Sequence, residues 1–371
     1  MIWLLTLQQH KCLLEKISKM KLLLQILWGW SVLANGAVGI QVGTIQTNNQ
    51  NIKLMKMNFT SPIWLQSAGS AGKAVRLFYV TSNADGNDIM FVDTKLGAFA
   101  DNVQYSTDNA ETWDQLTAET VITLDAGETV YFRNYTGQVY NLEASKKVVE
   151  TSDLYSIGGD ITDLFYPGVK KLPVQAFDSA FMEDENLQDA SALILPAMAL
   201  AEGCYNSMFE GCTSLTTAPE LPATALAEYC YTAMFYGCTS LTVAPELPAM
   251  ALAPSCYNAM FYGCTSLTTA PELPATALTP SCYNNMFHGC TSLTAAPELP
   301  ATALAEYCYN HMFHGCTSLT VVKCLATSVI VDSTGDWLKG VASTGTFTKT
   351  AGAEWPSGVD GIPTGWTVIE Q

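Results

Sequence analysis

The sequence predicts a mixed β/α chain in which an N-terminal antiparallel β-sandwich precedes a repeat solenoid closed by a C-terminal cap. Three observations predict it. One 26-residue unit recurs five times, at 195–220, 221–246, 247–272, 273–298 and 299–324. Short apolar runs separated by turn residues fill 57–165. The period stops after Cys324, and 325–371 is rich in Gly, Thr and Trp.

Four segments follow in order. Residues 1–56 form a leader with a signal-like stretch. Lys16, Lys19 and Lys21 precede an apolar run ending at Ala34, where small residues stand at a cleavage-like spacing. The run is interrupted by Gln25 and Gly29, too broken for a stable membrane span. Met20 is a candidate start, and a start near Met57 is the alternative.

Residues 57–165 are the sandwich. Strand-like runs begin near 63, 75, 88, 102, 120 and 129, and turn signals lie at 82–87, 108–111 and 125–128. Tyr105 and Trp113 are expected to face each other across a hairpin, with Asp108 forming its turn. Residues 172–324 are the solenoid. A degenerate unit at 176–187 aligns Phe177 with Tyr205, Phe181 with Phe209 and Leu187 with Leu215. Residues 325–371 are the cap, whose Trp337, Trp355 and Trp366 can cover the last repeat.

The unit reads L-P-A-x-A-L-x-x-x-C-Y-x-x-M-F-x-G-C-T-S-L-T-x-A-P-E. Such a period means stacking, because one unit cannot bury its apolar face alone. In the second copy, Ala227, Cys230 and Met234 lie at i, i+3 and i+4 spacings, which predicts one or two helical turns ended by Gly237. Pro222 and Pro245 mark strand ends and corners. Stacked coils make every position a column, with Leu215 and Phe209 heading two apolar ones.

Ten of the twelve cysteines fill two columns, headed by Cys204 and Cys212. Even pairs invite disulfides. Burial as small apolar residues is the other reading. Partners eight residues apart along a helix are about 12 Å apart, beyond disulfide reach, which favours free thiols. The C-x-x-C spacing of zinc sites is absent, and His288, His311 and His314 occur in only two coils, so no metal ligand and no cofactor is expected.

These residues resemble the BspA-like family of leucine-rich-repeat surface proteins with the treponemal-type repeat. The family's A-F-x-x-C-x-x-L core corresponds to Met208, Phe209, Cys212 and Leu215 and their four later copies. Met stands where the family has Ala, and the unit is longer than usual. The resemblance covers 176–324. It implies a leucine-rich-repeat solenoid on a secreted or cell-surface adhesion protein, and carries over no catalytic residue.

Formal net charge is −17, and the leader alone is +5. From 195 to 320 there is no Lys or Arg, which argues against nucleic-acid binding and leaves a basic partner open. Positions that vary between copies are the candidate binding residues. One column is Glu210, Tyr236, Tyr262, His288 and His314; it follows the buried Phe and is expected to be exposed. A second is Ser207, Ala233, Ala259, Asn285 and His311. A third contains Tyr229 and Tyr307. Aromatic and His side chains suit protein or glycan contact. Glu220, Glu246, Glu272 and Glu298 form a like-charge column, expected to splay into solvent.

No Ser-His-Asp set, catalytic carboxylate pair or phosphate loop stands out, so a binding or adhesion protein for an extracellular protein is expected rather than an enzyme. A glycan-binding accessory protein using the sandwich is the alternative.

Overall fold

The computed structural model describes residues 77–91, 97–117, 119–140, 148–330 and 332–371. The leader, its signal-like stretch and the first strand-like run near 63 lie outside the described residues. What is described is mostly β, with very little helix: α1 (Gly97–Ala100) and α2 (Ile161–Phe165).

Alternating burial builds the N-terminal sheets. In β1 (Phe78–Ser82) Phe78, Val80 and Ser82 point inward while Tyr79 and Thr81 stay half-buried. β2 (Asn87–Phe91) and β5 (Val121–Leu124) alternate likewise. Turn residues with positive φ, Gly86 and Gly127, stand before β2 and β6 (Thr129–Asn134). One sheet has the order β4 (Asp114–Gln115), β3 (Val103–Ser106), β6, β1, β8 (Tyr155–Asp160), β9 (Leu187–Ile194). A second has the order β5, β2, β7 (Val149–Thr151). Phe91 of the second packs edge-on against Phe132 of the first at 4.5 Å between ring centroids.

Asp108 forms the β3–β4 turn: it accepts from Ser106 Oγ, Thr112 Oγ1 and the backbone N–H groups of Glu111 and Thr112. Those bonds, the Ser106 hydroxyl first, lower its pKa to about 2. Trp113 lies beneath the Arg133 guanidinium, 4.0 Å from the ring centroid.

All pairings within the first sheet are antiparallel except β8–β9, which is parallel. β9 is also where coiling begins. Asp189 bridges in parallel to Thr217, Thr217 to Val243, and Val243 to Thr269. A second line of parallel bridges joins Ala199, Ala225, Ala251 and Ala277. The junction is tied by a buried bond: Tyr155 Oη donates to Asp184 Oδ2 at 2.7 Å. Asp184 also accepts from the N–H groups of Asn186 and Leu187.

The segment expected to be helical is a ribbon of overlapping turns. In the second copy Cys230, Thr232, Met234, Tyr236 and Cys238 each donate N–H to the carbonyl three residues back. The intervening N–H groups, from Tyr229 to Gly237, donate to the next coil, as Tyr231 to Cys256 and Phe235 to Met260. Every fourth residue has positive φ: Tyr229, Ala233 and Gly237. The same period of four repeats in each coil. The expected helix therefore gives way to turns with a left-handed third residue. Two of every four residues still face inward, so Cys230, Tyr231, Met234 and Phe235 are all buried. Helical spacing and this ribbon bury nearly the same positions.

Gly237 closes each ribbon for a conformational reason. A Cβ there would meet the Gly211 backbone only at 3.8 Å, an ordinary contact, but φ is +71°. Left-handed backbone, not crowding, favours glycine there.

The core is a set of ladders. Tyr205, Tyr231, Tyr257, Tyr283 and Tyr309 stack at 5.8–6.1 Å, begun by Phe177 and ended by Trp337. Phe181, Phe209, Phe235, Phe261, Phe287 and Phe313 stack at 5.5–5.7 Å. The degenerate unit is thus the first coil. Each thiol of the second cysteine column donates to a Phe carbonyl of the preceding coil, as Cys238 Sγ to Phe209 O at 3.1 Å. All eleven described cysteines are buried.

Pairing also continues past Cys324. β10 (Ala295–Leu299), β11 (Val321–Cys324), β12 (Thr346–Lys349) and β13 (Thr367–Glu370) form one parallel sheet. A further ribbon receives the last regular one: Tyr309, His311, Phe313 and Gly315 donate to Ser333, Gly335, Trp337 and Lys339. The cap segment is itself coiled.

Candidate functional site

The first varying column is built by the ribbon. Glu210, Tyr236, Tyr262, His288 and His314 each stand between a buried Phe and a left-handed Gly, one per coil. Coil stacking puts their rings face to face. Centroids lie 4.5 Å apart for Tyr236–Tyr262, 4.3 Å for Tyr262–His288 and 4.5 Å for His288–His314. This is tighter than either core ladder. The side chains are consequently half-buried rather than exposed: neighbours cover much of the faces.

Burial, then the neighbouring His314 and His311, lowers the His288 pKa to about 4. His314 is lowered for the same first reason, with His311 and Lys339 adding to it. Burial raises the Tyr236 hydroxyl. Burial in the ladder thus favours the neutral form of both histidines.

The two other varying columns occupy the left-handed positions. Ser207, Ala233, Ala259, Asn285 and His311 have φ between +51° and +56°. Tyr229 and Tyr307 have φ of +57° and +54°, in the column that holds Gly203, Ser255 and Ser281 elsewhere. They are exposed, at 44% and 38%. A non-glycine residue held there costs about 1–2 kcal/mol, so these two exposed rings stand at strained positions three coils apart.

Glu220, Glu246, Glu272 and Glu298 are exposed. The column ends at Lys323, whose Nζ pairs with Glu298 Oε2 at 3.0 Å. Across 195–320 the chain has eight glutamates and no Lys or Arg.

At the end of the ring ladder, coil succession brings in residues the sequence pattern did not single out. Asp336 has φ of +50° and takes the place of His311 one coil on; Lys339 likewise follows His314. Lys339 Nζ lies 2.9 Å and His311 Nε2 3.9 Å from Asp336 Oδ2. One signal was present: Trp337, Leu338, Lys339 and Gly340 repeat the order of Met312, Phe313, His314 and Gly315.

Among the described residues no helix is long and apolar enough to cross a membrane. No protein-family model, curated protein or solved structure matches this chain.

Proposed function

We propose that this is a secreted or cell-surface binding protein that holds an extracellular protein partner against its stacked coils. In this reading the coils are a leucine-rich-repeat solenoid of the BspA-like type, and the two N-terminal sheets are a β-sandwich that starts the stack. The carrying observation is the ring ladder of Tyr236, Tyr262, His288 and His314, fixed at 4.3–4.5 Å spacing on hydrogen-bonded backbone. Preorganised aromatic side chains lose little entropy on binding and serve as interface anchors. The strained, exposed Tyr229 and Tyr307 extend that surface.

Two features favour protein over glycan. Ring faces in the ladder are covered by neighbours, whereas a sugar stacks on an open face. Trp113, the aromatic candidate of the N-terminal sheets, carries Arg133 on its face. The glutamates of the coil region, with no Lys or Arg between 195 and 320, favour a basic partner surface.

The test is equilibrium binding of the purified chain to a panel of extracellular matrix proteins and glycans, at about 50 and about 500 mM salt. A protein partner whose affinity falls at high salt is the expected result. Binding confined to glycans, or hydrolysis of a panel member abolished by one substitution, would replace this reading.

A further inference from the structure

We propose that His311, His314 and Asp336 form a binding site for one divalent transition-metal ion of the class that imidazole and carboxylate favour, such as zinc or cobalt. Their potential ligand atoms all lie within 4.8 Å of one another. Two donors on one tetrahedral metal stand about 3.3 Å apart. The present spacing exceeds that by about 1.5 Å at most.

Three further observations point to a ligand. His311 has the placement that metal-binding imidazoles use: Nδ1 is beside Asn310 Oδ1, and Nε2 faces Asp336. His314 Nδ1 is buried and meets no protein partner. A cavity of about 890 Å³ adjoins the cluster, lined by His311, Asp336, Glu354 and Asp360 among others. It gives an ion access and leaves coordination positions open beyond the three protein ligands.

The ligands also stand on fixed backbone. The His311 N–H donates to Gly335 O at 2.9 Å, and the Asp336 N–H to Asp360 Oδ1 at 2.6 Å. Lys339 completes the argument. Its ammonium lies 2.9 Å from Asp336 Oδ2 and holds the place of positive charge that an ion would take. Metal binding displaces it, so the lysine weakens the site without belonging to it. The sequence pattern pointed away from a metal because two of the ligands stand in one coil and the third comes from a coil outside the period.

The test is titration of the native, chelator-treated chain with Co²⁺, read by visible d–d absorption, with Zn²⁺ as competitor. One Co²⁺ per chain is expected, displaced by Zn²⁺. His311→Asn and Asp336→Asn each place a residue that the left-handed backbone tolerates, and each weakens binding at least tenfold. Lys339→Met, which removes only the competing charge, tightens it about tenfold. Melting curves recorded without metal check that the variants fold. Three outcomes overturn the proposal: no saturable Co²⁺ uptake by the folded chain, uptake unchanged in all three variants, or a thiolate-to-cobalt charge-transfer band that puts the ion on the cysteines.

Discussion

Ala233 shows at a single residue how this backbone differs from the helix that its spacing resembles. Its φ is +52°, and its N–H donates to Asn258 O in the next coil. In a helix, Ala→Gly costs about 1 kcal/mol. In the left-handed region glycine relieves about 1–2 kcal/mol of strain, offset by about 0.5–1 kcal/mol of extra unfolded-state entropy. Ala233→Gly is therefore expected to leave the denaturant midpoint unchanged or raise it. Gly237→Ala, at φ of +71°, is expected to lower the unfolding free energy by about 1–2 kcal/mol. Urea unfolding of the two variants checks both; a loss of about 1 kcal/mol in Ala233→Gly would restore the helix.

Among the elements, β9 has two allegiances. It closes the six-stranded sheet by pairing with β8, and it starts the coil ladder through Asp189 and Thr217. The joint depends on the buried Tyr155–Asp184 bond. Tyr155→Phe keeps the packing and leaves the carboxylate one donor short, at a cost of about 1–3 kcal/mol. Thermal unfolding of this variant is expected at lower temperature; an unchanged midpoint would mean that the bond contributes nothing to the joint. Much at this scale was legible in the sequence. The Phe, Cys and Leu columns follow from the period alone, and five of the strand-like runs became strands. The ribbon was not legible, because a period of four with two buried residues and a helical i, i+3, i+4 pattern select the same inward positions. Coils after Cys324 were hidden because Trp337 and Leu338 replace Met and Phe, and β13 comes sooner than the 26-residue period would place it. Asp336 and Lys339 were missed with them.

The described coils stack buried thiols and aromatic rings, and the thiols have a measurable consequence. Burial raises the thiol pKa from an ordinary 9 to about 12 for Cys204, Cys230, Cys308, Cys316 and Cys324. The folded chain thus holds these protons more tightly than the unfolded one. Their stabilisation is complete below about pH 9 and is lost as pH rises from 9 toward 12, by about 1.4 kcal/mol per pH unit per thiol. Unfolding free energy should rise between about pH 6 and 7, because the fold lowers the pKa of His288 and His314, level off near pH 8 and fall steeply above 9, with the native thiols resisting alkylation until it does. Stability that stays level through pH 11 would mean that the thiols ionise within the fold. The central claim, that the ring ladder is the recognition surface, is tested most directly by comparing equilibrium binding of the parent chain and Tyr236→Ser/Tyr262→Ser to a panel of extracellular matrix proteins, with melting recorded alongside. Two stacked contacts are lost in the double variant, which costs about 1–3 kcal/mol of stability, less than the 3–5 kcal/mol expected for the core change Phe235→Ala. The account predicts a folded double variant whose affinity for the parent's partner falls at least tenfold. A double variant that binds as the parent does, or that unfolds as readily as Phe235→Ala, would contradict it.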